Sequence, residues 1–258
     1  MSLFKIASVA AIALTLGACQ SLFQPNYRAP LETTRDASEQ LKPGCANPEC
    51  PLVNIDTLRF PDEPALDGII EKRLLQMTRT SPEAPVAPTL AAYREQFLSS
   101  AGPRYSSYLQ AKVREQHDGL VIVELSSYLD TGGAHGTPGR GFINYSRQQH
   151  KVLTLSDMLI PGQEEAFWKA AQVAHNSWLI STKLDQEPEF VKSWPFVKTQ
   201  NVALTYGGVI LKYEVSTLAP YALGHVELKI PYPRLNGILK PELFPGRSLR
   251  LDLSLIHI

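Results

Sequence analysis

His117-Asp118-Gly119, followed by Leu120-Val121-Ile122-Val123-Glu124-Leu125, is the stretch from which the fold of this 258-residue chain can be read. Asp-Gly between apolar segments is a hairpin turn signal, because both residues tolerate the left-handed backbone that a tight two-residue turn demands. The apolar, β-branched run after it is a strand signal. Before the turn, Tyr105 to Glu115 alternates loosely and supplies the partner strand. After it, the Gly-rich stretch Thr131-Gly132-Gly133-Ala134-His135-Gly136-Thr137-Pro138-Gly139-Arg140-Gly141 reads as a connection to another strand, Phe142 to Ser146. Arg147 to His150 then turns into Lys151-Val-Leu-Thr-Leu155, with Ser156 or Asp157 available to cap a short turn. Consecutive strands joined this closely form antiparallel pairs.

Helical periods flank this meander. Leu66, Ile69, Ile70, Leu74 and Met77 recur at helical spacing, with Asp62, Glu63 and Asp67 suited to the start of that helix. Thr80 to Pro88 carries three prolines and reads as a loop, and Thr89 can cap a second helix through about Leu98. Glu164 to Thr182 is the longest helical pattern, with Phe167, Ala170, Ala171, Ala174 and Trp178 on its apolar stripe. Pro188 to Pro195 reads as a loop. Strands follow near Val202–Tyr206 and Val209–Val215, joined at Gly207-Gly208, then His225–Ile230, and Arg234–Leu239 reads as a short helix. Helices and hairpins in this order predict the α+β class, with antiparallel sheets and packed helices.

The first residues read as an address. Lys5 is the positive start, Ile6 to Leu16 the apolar run, and Leu16-Gly17-Ala18-Cys19 a small-residue cleavage site ending in cysteine. The run is shorter than the roughly 20 residues that span a bilayer. Residues 1–18 are thus expected to be a lipoprotein signal peptide and Cys19 the lipidated residue. Several acyl (palmitate-type) chains at ~0.8 kcal/mol per buried CH₂ anchor stably where one does not. Gln20, in place of an inner-membrane-retaining Asp, points to the periplasmic face of the outer membrane. Residues 19–51, with prolines 25, 30, 43, 48 and 51 and no sustained apolar period, are expected to be a flexible lipidated tether. Leu253 to Ile258 matches a translated sequencing adaptor, so residues 253–258 are set aside as an artefact and native sequence is expected to end near Asp252.

Composition narrows the function. Without Lys5 the mature chain has 24 basic against 25 acidic residues, a formal net of −1, which gives nucleic acid no electrostatic footprint. Cys45 and Cys50 are the thiols left after acylation, and an oxidising periplasm favours a disulfide between them over a metal pair, which lacks C-x₂-C spacing and a nearby histidine. No G-x-S-x-G, H-E-x-x-H or phosphate-loop spacing occurs, and no sequence-local metal set or cofactor motif is found.

Two longer motifs carry a resemblance. Tyr128-Leu-Asp-Thr-Gly-Gly-Ala-His-Gly136 with Val152-Leu-Thr-Leu-Ser-Asp157 is one; Val202-Ala-Leu-Thr-Tyr-Gly-Gly-Val-Ile210 with Leu218-Ala-Pro-Tyr-Ala-Leu-Gly-His225 and Ile230-Pro-Tyr232 is the other. In this order they resemble the RsiV-like and PdaC-accessory (DUF3298-type) family of extracytoplasmic domains, over roughly Leu52 to Pro241. The resemblance implies a PdaC-like α+β subdomain at 52–160 and an RsiV-like one at 161–252. It implies binding of lysozyme, another muramidase or peptidoglycan. Neither the sigma-binding segment of RsiV-like proteins nor the metal-dependent deacetylase domain of PdaC is matched, so what is implied is the binding domain alone.

Candidate binding residues are Gly132, Gly133, His135 and Tyr221. Backbone N–H groups of the Gly-rich turn can bind an anion, and His135, with Asp130 or Asp157, can be a general base on glycan; the same glycines and histidine serve equally as a self-contained turn. Tyr206, Tyr213, Tyr221 and Tyr232 either border a groove or, for Tyr221, fill the core under a packed connection. Glu63, Glu71, Glu164 and Glu165 are either an acidic patch for a basic partner or ordinary solvated helix faces. His175 is expected in the core or on its flank, and His117, His150 and His225 at turns or strand ends. No catalytic set is assigned. The alternatives to a binding lipoprotein are a glycan hydrolase or deacetylase, and a structural lipoprotein subunit of an envelope complex.

Overall fold

A computed structural model describes residues 26–246. Cys19, the signal segment and residues 253–258 lie outside them. A six-stranded sheet runs in the order β1 (Thr34–Leu41), β2 (Leu52–Arg59), β3 (Ser106–His117), β4 (Leu120–Asp130), β5 (Thr137–Ser146) and β6 (Lys151–Val152). A second sheet has three antiparallel strands, β7 (Val202–Thr205), β8 (Gly208–Lys212) and β9 (Glu227–Ile230). The helices are α1 (Pro64–Gln76), α2 (Leu90–Ser100), α3 (Leu155–Met158), α4 (Glu164–Thr182) and α5 (Pro188–Ser193). The chain is α+β.

The run after the Asp-Gly turn is apolar at successive positions because β4 is buried on both faces. Val121, Val123 and Leu125 enter one core with α1, α2 and Tyr145, while Leu120 and Ile122 enter a second with α4 and the three-stranded sheet. Alternate strand residues face opposite ways, so a strand shared between two cores needs apolar residues of both parities. The expected division between residues 160 and 161 cuts through the second core, since Leu153, Leu155, Met158 and Leu159 pack there with Phe167, Trp168 and Leu204.

Several elements differ from expectation. The stretch preceding Leu52 is not a free tether over its described part. β1 pairs antiparallel with β2 from Thr34↔Arg59 to Leu41↔Leu52, although all eight of its side chains are exposed. Backbone pairing and charge pairs hold it: Arg35 meets Asp56 at 2.7 Å and Arg59 meets Asp36 at 2.9 Å. A polar edge strand has no apolar period to betray it, and its charges discourage a further strand from adding. Cys45 and Cys50 form the disulfide that closes the β1–β2 connection. Upstream, Gln116 accepts from Leu31 N and donates to Leu31 O at 2.8 and 3.0 Å, docking that segment on β3.

β2 and β3 pair in parallel, against the antiparallel expectation, because α1 and α2 lie between them in sequence and carry the chain back. β5 begins at Thr137, inside the Gly-rich stretch, and β6 ends at Val152. Thr154, rather than Ser156 or Asp157, caps α3: its hydroxyl accepts from Asp157 N while Asp157 accepts from Thr154 N. Pro188 starts helix α5 where a loop is expected, and a 3-10 turn at Tyr232–Leu235 replaces the short helix at 234–239. Thr89 caps α2 through Ala92 N, and α4 spans the predicted residues, burying Trp168, His175 and Leu179 besides the expected stripe, of which Ala170 and Trp178 are only half-buried.

Candidate functional site

The Gly-rich turn joins β4 to β5. Asp130 Oδ1 accepts from Gly132 N at 2.8 Å, and Gly132 takes the left-handed backbone with φ of 80°. An Asp side chain folded onto the amide two residues on is a local turn device. Gly136 is required for space: a Cβ there would lie 2.2 Å from Tyr128 Cζ. The exposed ring of His135 stacks on Tyr221, with centroids 5.0 Å apart and planes 22° apart, and Tyr221 donates its hydroxyl to Gly136 O at 3.2 Å. The fold thus brings His135 and Tyr221 together. Tyr221 does not fill the core; Leu218 and Ala219 anchor that connection instead.

Below the turn is a cleft of about 570 Å³. Its floor is β3, β4 and β5 near Ser107, Ser127, Tyr128 and Thr137, and its wall is the segment from Met77 to Thr80 after α1, with Tyr93 of α2 and Glu214. Tyr93 and Ser107 share a hydroxyl hydrogen bond of 2.7 Å, and burial raises the Tyr93 phenol. Glu214 accepts from Arg140 N at 3.0 Å, so the single carboxylate in the lining is already engaged. The remaining polar lining is mostly hydroxyl, each able to donate and accept.

Other candidates do not converge here. Asp157 accepts from Lys151 Nζ and from Thr154 N and Oγ1, each at 2.8 Å; these bonds, Lys151 first, hold its carboxyl far below the usual range. Tyr213 and Tyr232 are buried, donating to Val197 O at 2.9 Å and Thr205 O at 2.7 Å, and burial drives both phenols well above their ordinary value. Tyr206 is exposed beside His117. The four tyrosines therefore do not border one groove. The acidic group is dispersed as well. Glu63 is buried, accepting from Tyr145 at 2.9 Å and facing His150, and Tyr145 is pushed up to about 12 by burial and that carboxylate. Glu71 accepts from Leu90 N, Glu164 from Trp168 Nε1, and Glu165 pairs with Lys169.

Each histidine among the described residues has a structural setting. His117 Nε2 donates to Leu204 O at 2.7 Å and His225 Nδ1 meets Tyr213 O at 3.1 Å. His175 is buried between Trp178 and Phe196. Among the described residues no three His, Cys, Asp or Glu side chains are grouped to hold a metal ion.

Asn144 is the residue that sequence reading passes over. On β5 it donates to Val202 O at 2.7 Å and accepts from Leu204 N at 2.8 Å, so one amide plays the part of a strand neighbour for β7 and ties the two sheets. The signal was an Asn inside the apolar run Phe142-Ile-Asn-Tyr145.

A family model described as a protein of unknown function, DUF3298, matches residues 156–233. No curated protein matches the chain. A crystal structure of a DUF3298 family protein from Pseudomonas aeruginosa PAO1 is 68% identical, covers 86% of this chain and 100% of its own, and superposes with a TM-score of 0.83. A DUF3298 member from Bacteroides fragilis NCTC 9343, 20% identical over 84% of this chain and 96% of its own, shares the fold with a TM-score of 0.64. With the first of these matched over its whole length at that identity, the chain belongs to the DUF3298 family.

Proposed function

We propose that this protein is a lipoprotein, anchored through Cys19 to the periplasmic face of the outer membrane, whose α+β domain binds peptidoglycan glycan in the cleft beneath the Gly-rich turn. The observation that carries the reading is the lining of that cleft. Hydroxyls of Ser107, Ser127, Thr131 and Thr137 line it together with the ring of Tyr93. That combination suits a sugar, whose own hydroxyls need partners of both kinds and whose apolar ring faces suit aromatic surface. Its volume lies in the ~300–1,000 Å³ range of small-ligand sites, whereas a folded protein partner such as lysozyme needs ~800 Å² of surface on each side.

Binding without turnover fits the same geometry. Asp130 Oδ1 is engaged in its turn, Asp157 is engaged in the α3 cap, and His135 rests on Tyr221. The test is titration of the mature protein with soluble peptidoglycan fragments, and separately with lysozyme, alongside assays for glycan hydrolysis and deacetylation. Saturable glycan binding that weakens in Tyr93→Ala is expected. Binding to lysozyme alone would move the ligand to a protein, an envelope protein that co-purifies in fixed ratio would favour the structural-subunit alternative, and hydrolysis lost in a folded His135→Ala protein would make it an enzyme.

A further inference from the structure

The end of the large sheet that carries the β3–β4 turn is also where the chain enters the domain. Tyr27 lies against that turn: a Cβ on Gly119 would sit 3.4 Å from Tyr27 Cβ. The Arg147 guanidinium stands over the Tyr27 ring at 5.5 Å and donates to Tyr27 O and Ala29 O at 3.0 and 2.5 Å, while Arg147 N donates to Gly119 O at 3.0 Å. With Leu31 docked on Gln116, the chain is fixed to this end from its second described residue. Asn26 stands seven positions after Cys19, and seven residues reach at most ~25 Å. An acyl group on Cys19 would therefore hold this end of the domain within that distance of a bilayer. The Gly-rich turn lies at the opposite end of β4, 11 residues or ~35 Å along the strand.

The surface chemistry of the entry end suits what such an anchor would bring near. His117 donates to Leu204 O and stands edge-on to Tyr206, which sets the β7–β8 turn beside the β3–β4 turn. Tyr206 is 56% exposed there, Lys229 runs along Gly207 and Gly208, and Arg28 is exposed beside Tyr27. Two acids of this end are turned to backbone amides, Glu115 accepting from Tyr206 N and Asp118 from Gly246 N at 3.1 Å. An exposed phenol among long cationic side chains matches a headgroup layer: the ring rests between acyl chain and water, and the cations reach phosphate. A linker this short makes the contact intramolecular, so an affinity of about 1 mM is enough to populate it. We propose that this end, through Tyr206, Lys229 and Arg28, docks on the phospholipid headgroups of the membrane that holds the anchor. Docking points the hydroxyl-lined cleft away from the bilayer; the proposal rests on the Cys19 anchor proposed above.

The test is energy transfer in the full lipidated protein, reconstituted in vesicles of phosphatidylethanolamine and phosphatidylglycerol with an acceptor dye on a lipid headgroup. A donor dye is placed on one introduced thiol, Gln148→Cys in the exposed β5–β6 turn at the entry end or Ala134→Cys in the Gly-rich turn. Acylation of Cys19 and the Cys45–Cys50 bond leave no other thiol to label. Transfer from Gln148→Cys is expected to be several times that from Ala134→Cys. In Tyr206→Ser/Lys229→Gln the two sites should converge, with incorporation of labelled fatty acid unchanged. Thermal unfolding checks that each variant is folded, and the single substitutions stand in if the double one is not. Equal transfer from the two sites in the acylated parent, or a difference that survives in the double variant, overturns the docking surface and leaves the anchor standing. A parent that incorporates no fatty acid removes the anchor, and the docking with it.

Discussion

At the residue scale, the glycines of the β4–β5 connection are not equivalent. Gly136→Ala places a methyl group inside the Tyr128 ring, so Tyr128 or the backbone must move; we expect a loss of about 1–3 kcal/mol in denaturant unfolding. Gly133→Ala meets nothing closer than His135 O at 3.7 Å and is expected to leave stability nearly unchanged. His175 makes a different point. Burial against Trp178 and Phe196 lowers its pKa below the ordinary 6.5, and Nε2 has no partner. The unfolded chain then binds the proton more readily than the folded one, so stability falls as pH drops below about 6.5 and is recovered above it. His175→Phe should remove that part of the acid-side loss, seen as a flatter dependence of unfolding midpoint on pH between 7 and 5. An unchanged slope would show that His175 is not its source.

At the element scale, β1 and the join between the sheets depend on polar groups. The β1–β2 connection is closed by a disulfide five residues apart in sequence. Cys45→Ser/Cys50→Ser is expected to cost about 2 kcal/mol through restored unfolded-state entropy. Its first sign should be faster amide exchange in β1, which buries no side chain of its own. Non-reducing mass spectrometry of protein recovered from cells checks that the bond forms there. Asn144→Ala strands Val202 O and Leu204 N in a buried setting, a cost of about 2 kcal/mol or more. Hydrogen exchange should then rise in β7 before it rises in β4.

For the whole molecule, a charge network reinforces what Asn144 begins. Lys212 of β8 meets both Glu124 of β4 and Glu227 of β9, and Arg114 of β3 meets the same two carboxylates. The opposing charges hold the carboxyl of Glu124 below its ordinary value despite the desolvation that opposes this. With the two sheets tied at β4 and β5, the hydroxyl-lined cleft sits on the strand pair that joins them. The proposed anchoring belongs to this scale too. Cys19→Ala is expected to abolish incorporation of labelled fatty acid, since no other thiol stands at a signal cleavage site; retained label would remove the lipoprotein reading.

Periodicity is local, and what depends on it was legible without coordinates. The Asp-Gly hairpin, α1, α2 and α4, the α+β class, the family motifs and the Cys45–Cys50 pair all follow from neighbours along the chain. The polar strand β1 was not legible, because an element whose side chains are all solvated carries no hydrophobic period. Nor was the parallel β2–β3 register, which depends on where α1 and α2 return the chain. His135 and Tyr221 could be picked out singly as Gly-flanked and Pro-flanked residues, but not as a stacked pair. The cleft is made by α2 and the segment after α1 meeting β3, β4 and β5 around Met77. Such contacts arise from packing between distant segments, and no spacing within one segment encodes them.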